Sequence, residues 1–80
     1  MKITVRCGVF DGRKPCGRNL GTIKRKGFPE NHDGLLWEER HYTCLKHGAL
    51  QVHDEDLLRL ALNPSPPVIM ARSVLRMGQL

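Results

Sequence analysis

Residues 44–48 read Cys44-Leu45-Lys46-His47-Gly48, and this short segment is the most informative one in the chain. A cysteine and a histidine separated by two residues can be directed at one metal ion by a tight turn. Gly48 follows the second of these residues, at a point where a turn around a metal often needs a positive φ angle. The segment therefore predicts one half of a metal site.

A second half-site is predicted near the N-terminus, where Cys7 and Cys16 enclose a segment rich in turn residues. Cys16 is followed by Gly17, so both half-sites end in a ligand and then a glycine. Eight residues separate the two cysteines, rather than the usual two to four, so the segment must close as a hairpin around Asp11-Gly12. The predicted ligands of one structural Zn²⁺ are Cys7, Cys16, Cys44 and His47.

The identity of the histidine ligand has an alternative. His41 lies three residues before Cys44 and competes with His47 for the fourth position. His47 is favoured by its spacing from Cys44 and by the glycine after it. His32 lies in a polar loop and His53 precedes a helix, so both are expected to be solvated or capping residues.

The composition favours a metal over disulfides as the source of additional stability. The chain has 80 residues and few aromatic side chains, so its hydrophobic core is small. Three cysteines cannot all pair within one chain. The first residues lack the apolar segment of a secretory signal, and the longest uncharged run, residues 60–71, contains three prolines. We therefore expect a cytoplasmic protein without a membrane segment, whose cysteines bind metal.

The hydrophobic pattern predicts four short strands and two helices. Polar and apolar residues alternate over residues 2–6, and further strands are expected within residues 18–24, 35–43 and 49–53. From Asp54 the pattern becomes helical, with an acidic first turn, and it must end near residue 63 because prolines follow. A second helix is expected to begin after these prolines, capped by Ser65.

Two segments resemble the zinc-ribbon proteins, which include small uncharacterised ones of bacteria and their phages. These segments are Arg6-Cys7 with Pro15-Cys16-Gly17-Arg18-Asn19-Leu20-Gly21, and Tyr42-Thr43-Cys44-Leu45-Lys46-His47-Gly48. The resemblance covers about residues 3–53 and implies two metal knuckles on β-hairpins, bridged by zinc. The expected fold class is a small metal-stabilised α+β protein. It would comprise a zinc-ribbon-like domain of β-hairpins over residues 1–53, followed by two C-terminal helices in an extension over residues 54–80.

The charge distribution suggests an anionic partner. Residues 1–27 contain eight basic residues and one acidic residue, whereas residues 28–62 contain three basic and seven acidic ones. Basic clusters of this kind contact the phosphates of DNA or RNA, and Phe28 is near enough in sequence to stack on a base. The first hypothesis is a non-enzymatic adaptor or regulator that contacts nucleic acid or a transcription or ribonucleoprotein complex. The predicted contact residues are Arg13, Lys14, Arg18, Lys24, Arg25 and Lys26.

The sequence also suggests two other functions. The C-terminal helical tail could bind a protein partner, making the chain a protein-binding module or an inhibitor of a larger machine. The partner-binding residues would be Met70, Val74, Leu75 and Met77. A small metal-dependent nuclease using His32 and Asp33 is less favoured. The sequence has no Ser/His/Asp set, phosphate-binding glycine loop or HExxH motif, so we predict neither enzymatic activity nor a small-molecule substrate.

Overall fold

The computed structural model describes residues 2–74. Three strands of six residues are the longest, two in the N-terminal half and one near the C-terminus, and the longest helix lies between the last two strands. A single-turn 3₁₀ helix, His32–Gly34, precedes the first α-helix. In chain order the elements are β1 (Lys2–Cys7), β2 (Phe10–Asp11), β3 (Lys14–Pro15), β4 (Asn19–Lys24), α1 (Trp37–Arg40), β5 (His41–Cys44), β6 (Gly48–Gln51), α2 (Asp54–Leu62) and β7 (Val68–Ser73).

Five of the strands form one sheet in the order β4-β1-β7-β6-β5, which curls into a nearly closed barrel. β1 pairs with β4 in antiparallel orientation and with β7 in parallel orientation, while β6 pairs antiparallel with both β5 and β7. The two outer strands approach each other, since a Cβ atom on Gly21 of β4 would lie 3.2 Å from the Tyr42 ring of β5. The β2–β3 hairpin stands apart from this sheet.

The interior of the barrel follows from the alternation of side chains along its strands. In β1, Ile3, Val5 and Cys7 are fully buried, and the residues between them face outwards. β7 repeats this pattern in parallel register, so that Ile69 pairs with Val5 and Ala71 pairs with Cys7. The strand predicted at residues 2–6 is thus confirmed.

The helix predicted from Asp54 is confirmed as α2. Leu57 and Leu60 are buried in the core on one side of it, as its helical periodicity requires. Arg72 of β7 binds the first turn of α2 by a hydrogen bond from Nε to Asp56 Oδ2 of 2.9 Å and by a second ion pair to Glu55. These contacts attach the helix to the middle of the sheet.

The predicted second C-terminal helix is wrong. Residues 68–73 form β7, which lies between β1 and β6 at the centre of the sheet. Six apolar-rich residues cannot be assigned to helix or strand by periodicity alone, and here two strands leave backbone groups that need a partner. The fold class predicted for the chain, zinc-ribbon-like β-hairpins followed by two helices, is therefore incorrect, since the described residues are mostly β. Leu75 and Met77 lie outside the described residues.

The third predicted strand is also partly wrong. Only His41–Cys44 is extended, because Trp37–Arg40 forms the single-turn helix α1. The carboxylate of Glu39 accepts a hydrogen bond of 2.7 Å from the backbone N–H of Leu36 and so caps this turn. Trp37, the first residue of this helix, is 69% exposed. Phe28, which was expected to meet a nucleic-acid base, is instead buried in the core at 2% exposure.

The burial of Phe28 predicts a large effect on stability. Phe28→Ala is expected to lower the free energy of unfolding by about 3–5 kcal/mol, because it leaves a cavity in a close-packed core. The matched change Phe10→Ala removes a ring that is 66% exposed, and it should cost less than about 0.5 kcal/mol. Urea unfolding followed by circular dichroism measures the free energy of unfolding of both variants. Phe28→Leu is a milder change at the same position. Equal losses at the two positions would contradict this assignment of the core.

Candidate metal centre

Four side chains from three parts of the chain converge at one end of the barrel. Cys7 ends β1, Cys44 ends β5, Cys16 follows the β2–β3 hairpin, and His47 lies in the turn that leads into β6. One ligand atom from each lies within 4.8 Å of those from the other three. The structure thus brings together all four predicted ligands, at a spacing that can hold a metal ion.

The distances within the cluster are short. His47 Nδ1 lies 3.4 Å from Cys7 Sγ and 3.6 Å from Cys44 Sγ, and Cys16 Sγ lies 4.0 Å from Cys44 Sγ. Within residues 2–74, the three cysteines form no disulfide. Cys7 and Cys44 are buried, whereas Cys16 and His47 are partly exposed. The cluster therefore sits at the margin of the core, with one side towards solvent.

The wide spacing between Cys7 and Cys16 is bridged by the β2–β3 hairpin. The backbone N–H of Cys16 donates to Val9 O at 2.8 Å, and that of Gly17 donates to Cys7 O at 2.9 Å. These bonds bring the two ends of the segment together, as the sequence required. Gly17 and Gly48 have φ angles of 72° and 81°, in the left-handed region predicted for the residue after each second ligand.

Asp11 is a residue of the candidate site that sequence reasoning missed, because it was assigned only a role in the hairpin turn. Its Oδ1 lies 2.8 Å from His47 Nε2, and its Oδ2 lies 3.0 Å from Lys46 Nζ. In the tautomer that donates Nε2–H to this carboxylate, the lone pair of His47 Nδ1 points towards the thiols. Carboxylates hold the histidine ligands of metal sites in this way. The sequence feature that could have identified Asp11 is an acidic residue at the tip of the hairpin between two predicted ligands.

The contact between Asp11 and His47 changes the protonation of both groups. The hydrogen bond from His47, with a further one from Lys46, lowers the pKa of the Asp11 carboxyl. The same bond raises the pKa of His47, with a smaller contribution from Cys44. Asp11 therefore carries a negative charge at neutral pH and makes the imidazole a more basic, stronger donor to a cation.

Two thiols of the cluster are shifted in opposite directions. Burial raises the pKa of Cys7 to about 11. Burial also acts to raise the pKa of Cys44, but hydrogen bonds from the backbone N–H groups of Lys46 and His47 outweigh it and lower the pKa to about 6. The lowered pKa favours the thiolate of Cys44, which is the form that binds a cation, whereas the raised pKa of Cys7 favours the protonated thiol, which would release its proton to a bound metal.

The remaining histidines lie outside the cluster. His41 Nδ1 is 2.9 Å from Trp37 O, and its ring stacks on the Trp37 ring, so His41 does not replace His47. His53 is buried, with Nε2 2.9 Å from Ser73 O. His32, considered above for a nuclease, lies in the 3₁₀ helix with Nδ1 3.4 Å from Asp33 Oδ1.

The predicted nucleic-acid contacts do not all remain available. Arg25 donates to Gly34 O and pairs with Glu39 at 3.6 Å, so its charge is already engaged. The other five predicted cations, namely Arg13, Lys14, Arg18, Lys24 and Lys26, are exposed.

The outer surface of β1 and β4 carries two more basic residues that sequence reasoning did not single out. Lys2 lies directly opposite Lys24 in the antiparallel register, and Arg6 lies two outward positions along β1. Thr4 and Thr22 form a cross-strand pair that lies between the Lys2–Lys24 pair and Arg6. Strand periodicity could have found this set, since Lys2 and Arg6 alternate with buried residues. We call the outward residues Lys2, Thr4, Arg6, Thr22 and Lys24 the basic face.

The proposed partner-binding face is only partly described. Met70 is half-buried and lines a groove of about 300 Å³ between the β2–β3 hairpin, α2 and β7. Val74 is 38% exposed, and Leu75 and Met77 lie outside the described residues. The helical face expected for these residues is wrong for Met70, which belongs to a strand. Among residues 2–74, no helix is long and apolar enough to cross a membrane.

Comparison of the chain with models of known protein families, with curated proteins and with solved structures found no match. The resemblance to zinc-ribbon proteins therefore remains a prediction based on the two sequence segments around the cysteines. The function has to be argued from the chain's own side chains.

The position of Asp11 predicts a role in metal affinity. Asp11→Asn keeps the shape of the side chain but removes its charge, and it should weaken metal binding by about 10- to 100-fold. The matched control Asp33→Asn removes an equal charge from a side chain that is 95% exposed, and it should leave affinity unchanged. Competition with a chromophoric chelator measures the metal dissociation constants of both variants. Wild-type affinity in Asp11→Asn would show that the carboxylate does not support the metal site.

Proposed function

We propose that this chain is a non-enzymatic, zinc-stabilised protein that binds nucleic acid through its N-terminal half. The observation that carries the proposal is the basic face on β1 and β4, which lies on the strands leading into and out of the first metal half-site. The zinc holds the fold, and the basic face makes the contact. Each part is supported by separate features and tested separately.

Zinc is the metal that best suits the cluster. Tetrahedral Zn²⁺ with Zn–S bonds of about 2.3 Å and Zn–N bonds of about 2.0–2.1 Å places neighbouring ligand atoms about 3.5–3.8 Å apart. The three short distances in the cluster are 3.4, 3.6 and 4.0 Å. Three thiolates and one imidazole form a soft donor set that favours zinc over hard cations. Four protein ligands leave no coordination position for substrate, which favours a structural role.

A metal at this position would join segments that have few other contacts. The strands β2 and β3 have two residues each, all of them exposed, so the hairpin contributes little to the core. Cys16 and Asp11 connect it to the knuckle formed by residues 44–48. Because the core of so small a chain is limited, binding of zinc is expected to contribute directly to the free energy of folding.

Removal of the metal is therefore expected to unfold part or all of the chain. Native mass spectrometry should find one zinc ion per chain, and Cys44→Ser should lose it along with much of the thermal stability. The neighbouring change Thr43→Ser alters an exposed residue of the same strand and should retain both. A wild-type protein that stays folded and metal-free after purification without chelator would contradict the proposal.

The basic face has a charge arrangement that serves no purpose in folding. Lys2 and Lys24 are directly opposite on neighbouring strands, and like charges in this position destabilise a sheet by about 0.2–1 kcal/mol. Phosphates placed between them would convert this repulsion into attraction. The neighbouring Thr4 and Thr22 offer hydroxyl groups for hydrogen bonds to the same phosphates.

The face extends over a length suited to several nucleotides. Lys2 and Arg6 lie four residues apart on the outer side of β1, about 13 Å for an extended strand, and Arg18 directly precedes β4. Arg13 and Lys14 continue the positive charge onto the hairpin, and Lys26 continues it beyond the other end. A nucleic acid lying along β4 would meet cations along its whole contact. Arg6 donates to Gly17 O at 3.0 Å, which links this surface to the metal knuckle.

Substitution at Lys24 tests the face directly. Lys24→Gln should weaken binding of RNA and DNA oligonucleotides and reduce the slope of log K against log salt by about 0.7–0.9, the value for one phosphate contact. Its stability should be unchanged or slightly raised, because the repulsion with Lys2 is removed.

Arg59→Gln is the matched control, because it removes one charge from a side chain that is 78% exposed on α2 and should leave affinity unchanged. Fluorescence anisotropy over a range of salt concentrations measures the oligonucleotide affinity of the wild type and of both variants. The proposal of nucleic-acid binding fails if the wild type binds neither RNA nor DNA at low salt.

A further inference from the structure

Trp37 is an exposed aromatic residue that the fold does not use. Its side chain is 69% exposed, although tryptophan is the residue that gains most from burial. One part of it is covered by His41, whose ring lies parallel to the indole at a centroid distance of 4.0 Å and an interplanar angle of 11°. The rest of the ring system faces solvent as a flat apolar surface.

The two stacked rings are held in place by hydrogen bonds. His41 Nδ1 lies 2.9 Å from Trp37 O, which fixes the imidazole over the single turn of α1. The carboxylate of Glu39 accepts from Leu36 N–H at 2.7 Å, and the hydroxyl of Tyr42 donates to Glu39 O at 2.9 Å. A preorganised surface of this kind loses little conformational entropy when it binds a ligand.

The stacked rings lie close to one end of the basic face. Arg25 reaches from the end of β4 to Gly34 O and to Glu39, two residues from Trp37. Lys24 and Lys26 flank Arg25 and remain exposed. The ion pair between Arg25 and Glu39 also neutralises one of the two acidic residues of α1. Free cations and an exposed aromatic ring therefore occur together at this end of the barrel.

We propose that Trp37, supported by His41, is a base-stacking platform for single-stranded nucleic acid whose phosphates lie on Lys24 and Lys26. This inference rests on the proposed function, and it specifies the class of ligand. The faces of bases are accessible for stacking in single strands and are covered in a duplex. Combining a cationic track with an aromatic ring is the usual way to bind single strands without sequence preference.

Glu38 is the group that opposes this contact. It is exposed, it follows Trp37 directly, and it repels phosphates. Glu38→Gln is therefore expected to tighten binding, with a measurable effect at low salt and little at high salt.

The test uses the fluorescence of Trp37, which is the only tryptophan in the chain. The zinc-loaded protein is titrated at low salt with a 12-nucleotide oligothymidine and with a hairpin duplex of similar length. Stacking should quench the indole emission in a saturable manner with the single strand and much less with the duplex. Trp37→Ala should weaken binding of the labelled single strand by about 5- to 100-fold, measured by anisotropy.

Trp37→Leu serves as the matched variant, because it keeps an apolar side chain but removes the aromatic face, and it should weaken binding as well. Zinc content and circular dichroism check that both variants fold. Binding of the single strand without quenching, and with unchanged affinity in both variants, would overturn the platform and leave the proposed function standing. An absence of binding by the wild type to either oligonucleotide would instead overturn the proposed function and the platform with it.

Discussion

The convergence of Cys7, Cys16, Cys44 and His47 is the constraint on which the rest of the structure depends. It joins the ends of β1 and β5 to the β2–β3 hairpin, which is too short and too exposed to be stable alone. The contact between Asp11 and His47 strengthens the same junction from outside the ligand set. Because Cys7, Cys16 and the pair Cys44 and His47 lie on three different segments, the site can form only when the sheet has formed. A metal bound there would in turn stabilise the sheet.

The sheet itself depends on a strand from the far end of the chain. β7 lies between β1 and β6, so the two halves of the metal site are connected through backbone pairing with residues 68–73. Cys7 pairs with Ala71, and the N–H of Gly8 donates to Ala71 O at 2.7 Å, directly beside the first ligand. α2 provides the connection that brings β7 to this position and is tied to it by Arg72. The C-terminal part of the chain is therefore part of the support for the N-terminal ligands.

The positive charges of the protein divide into two groups with different uses. Arg25, Arg40 and Arg72 pair with carboxylates at Glu39, Asp54 and Asp56, and so they hold the short helices against neighbouring segments. The cations of the basic face have no such partners among the contacts of the described residues, and like charges lie opposite each other there. Uncompensated charge on an ordered strand is what an anionic ligand would recognise.

Local chemistry allowed the sequence to predict the Cys/His cluster, β1 and α2. The spacing of Cys44 and His47, and the glycines that follow Cys16 and His47, are short-range features that restrict the backbone wherever they occur. The acidic first turn and helical periodicity of residues 54–62 are equally local. By contrast, residues 68–73 became a strand because β1 and β6 offered unpaired backbone groups on both sides, which only the tertiary structure specifies. The burial of Phe28, the exposure of Trp37 and the contact from Asp11 to His47 likewise depend on long-range packing, and no periodicity in the sequence encodes them.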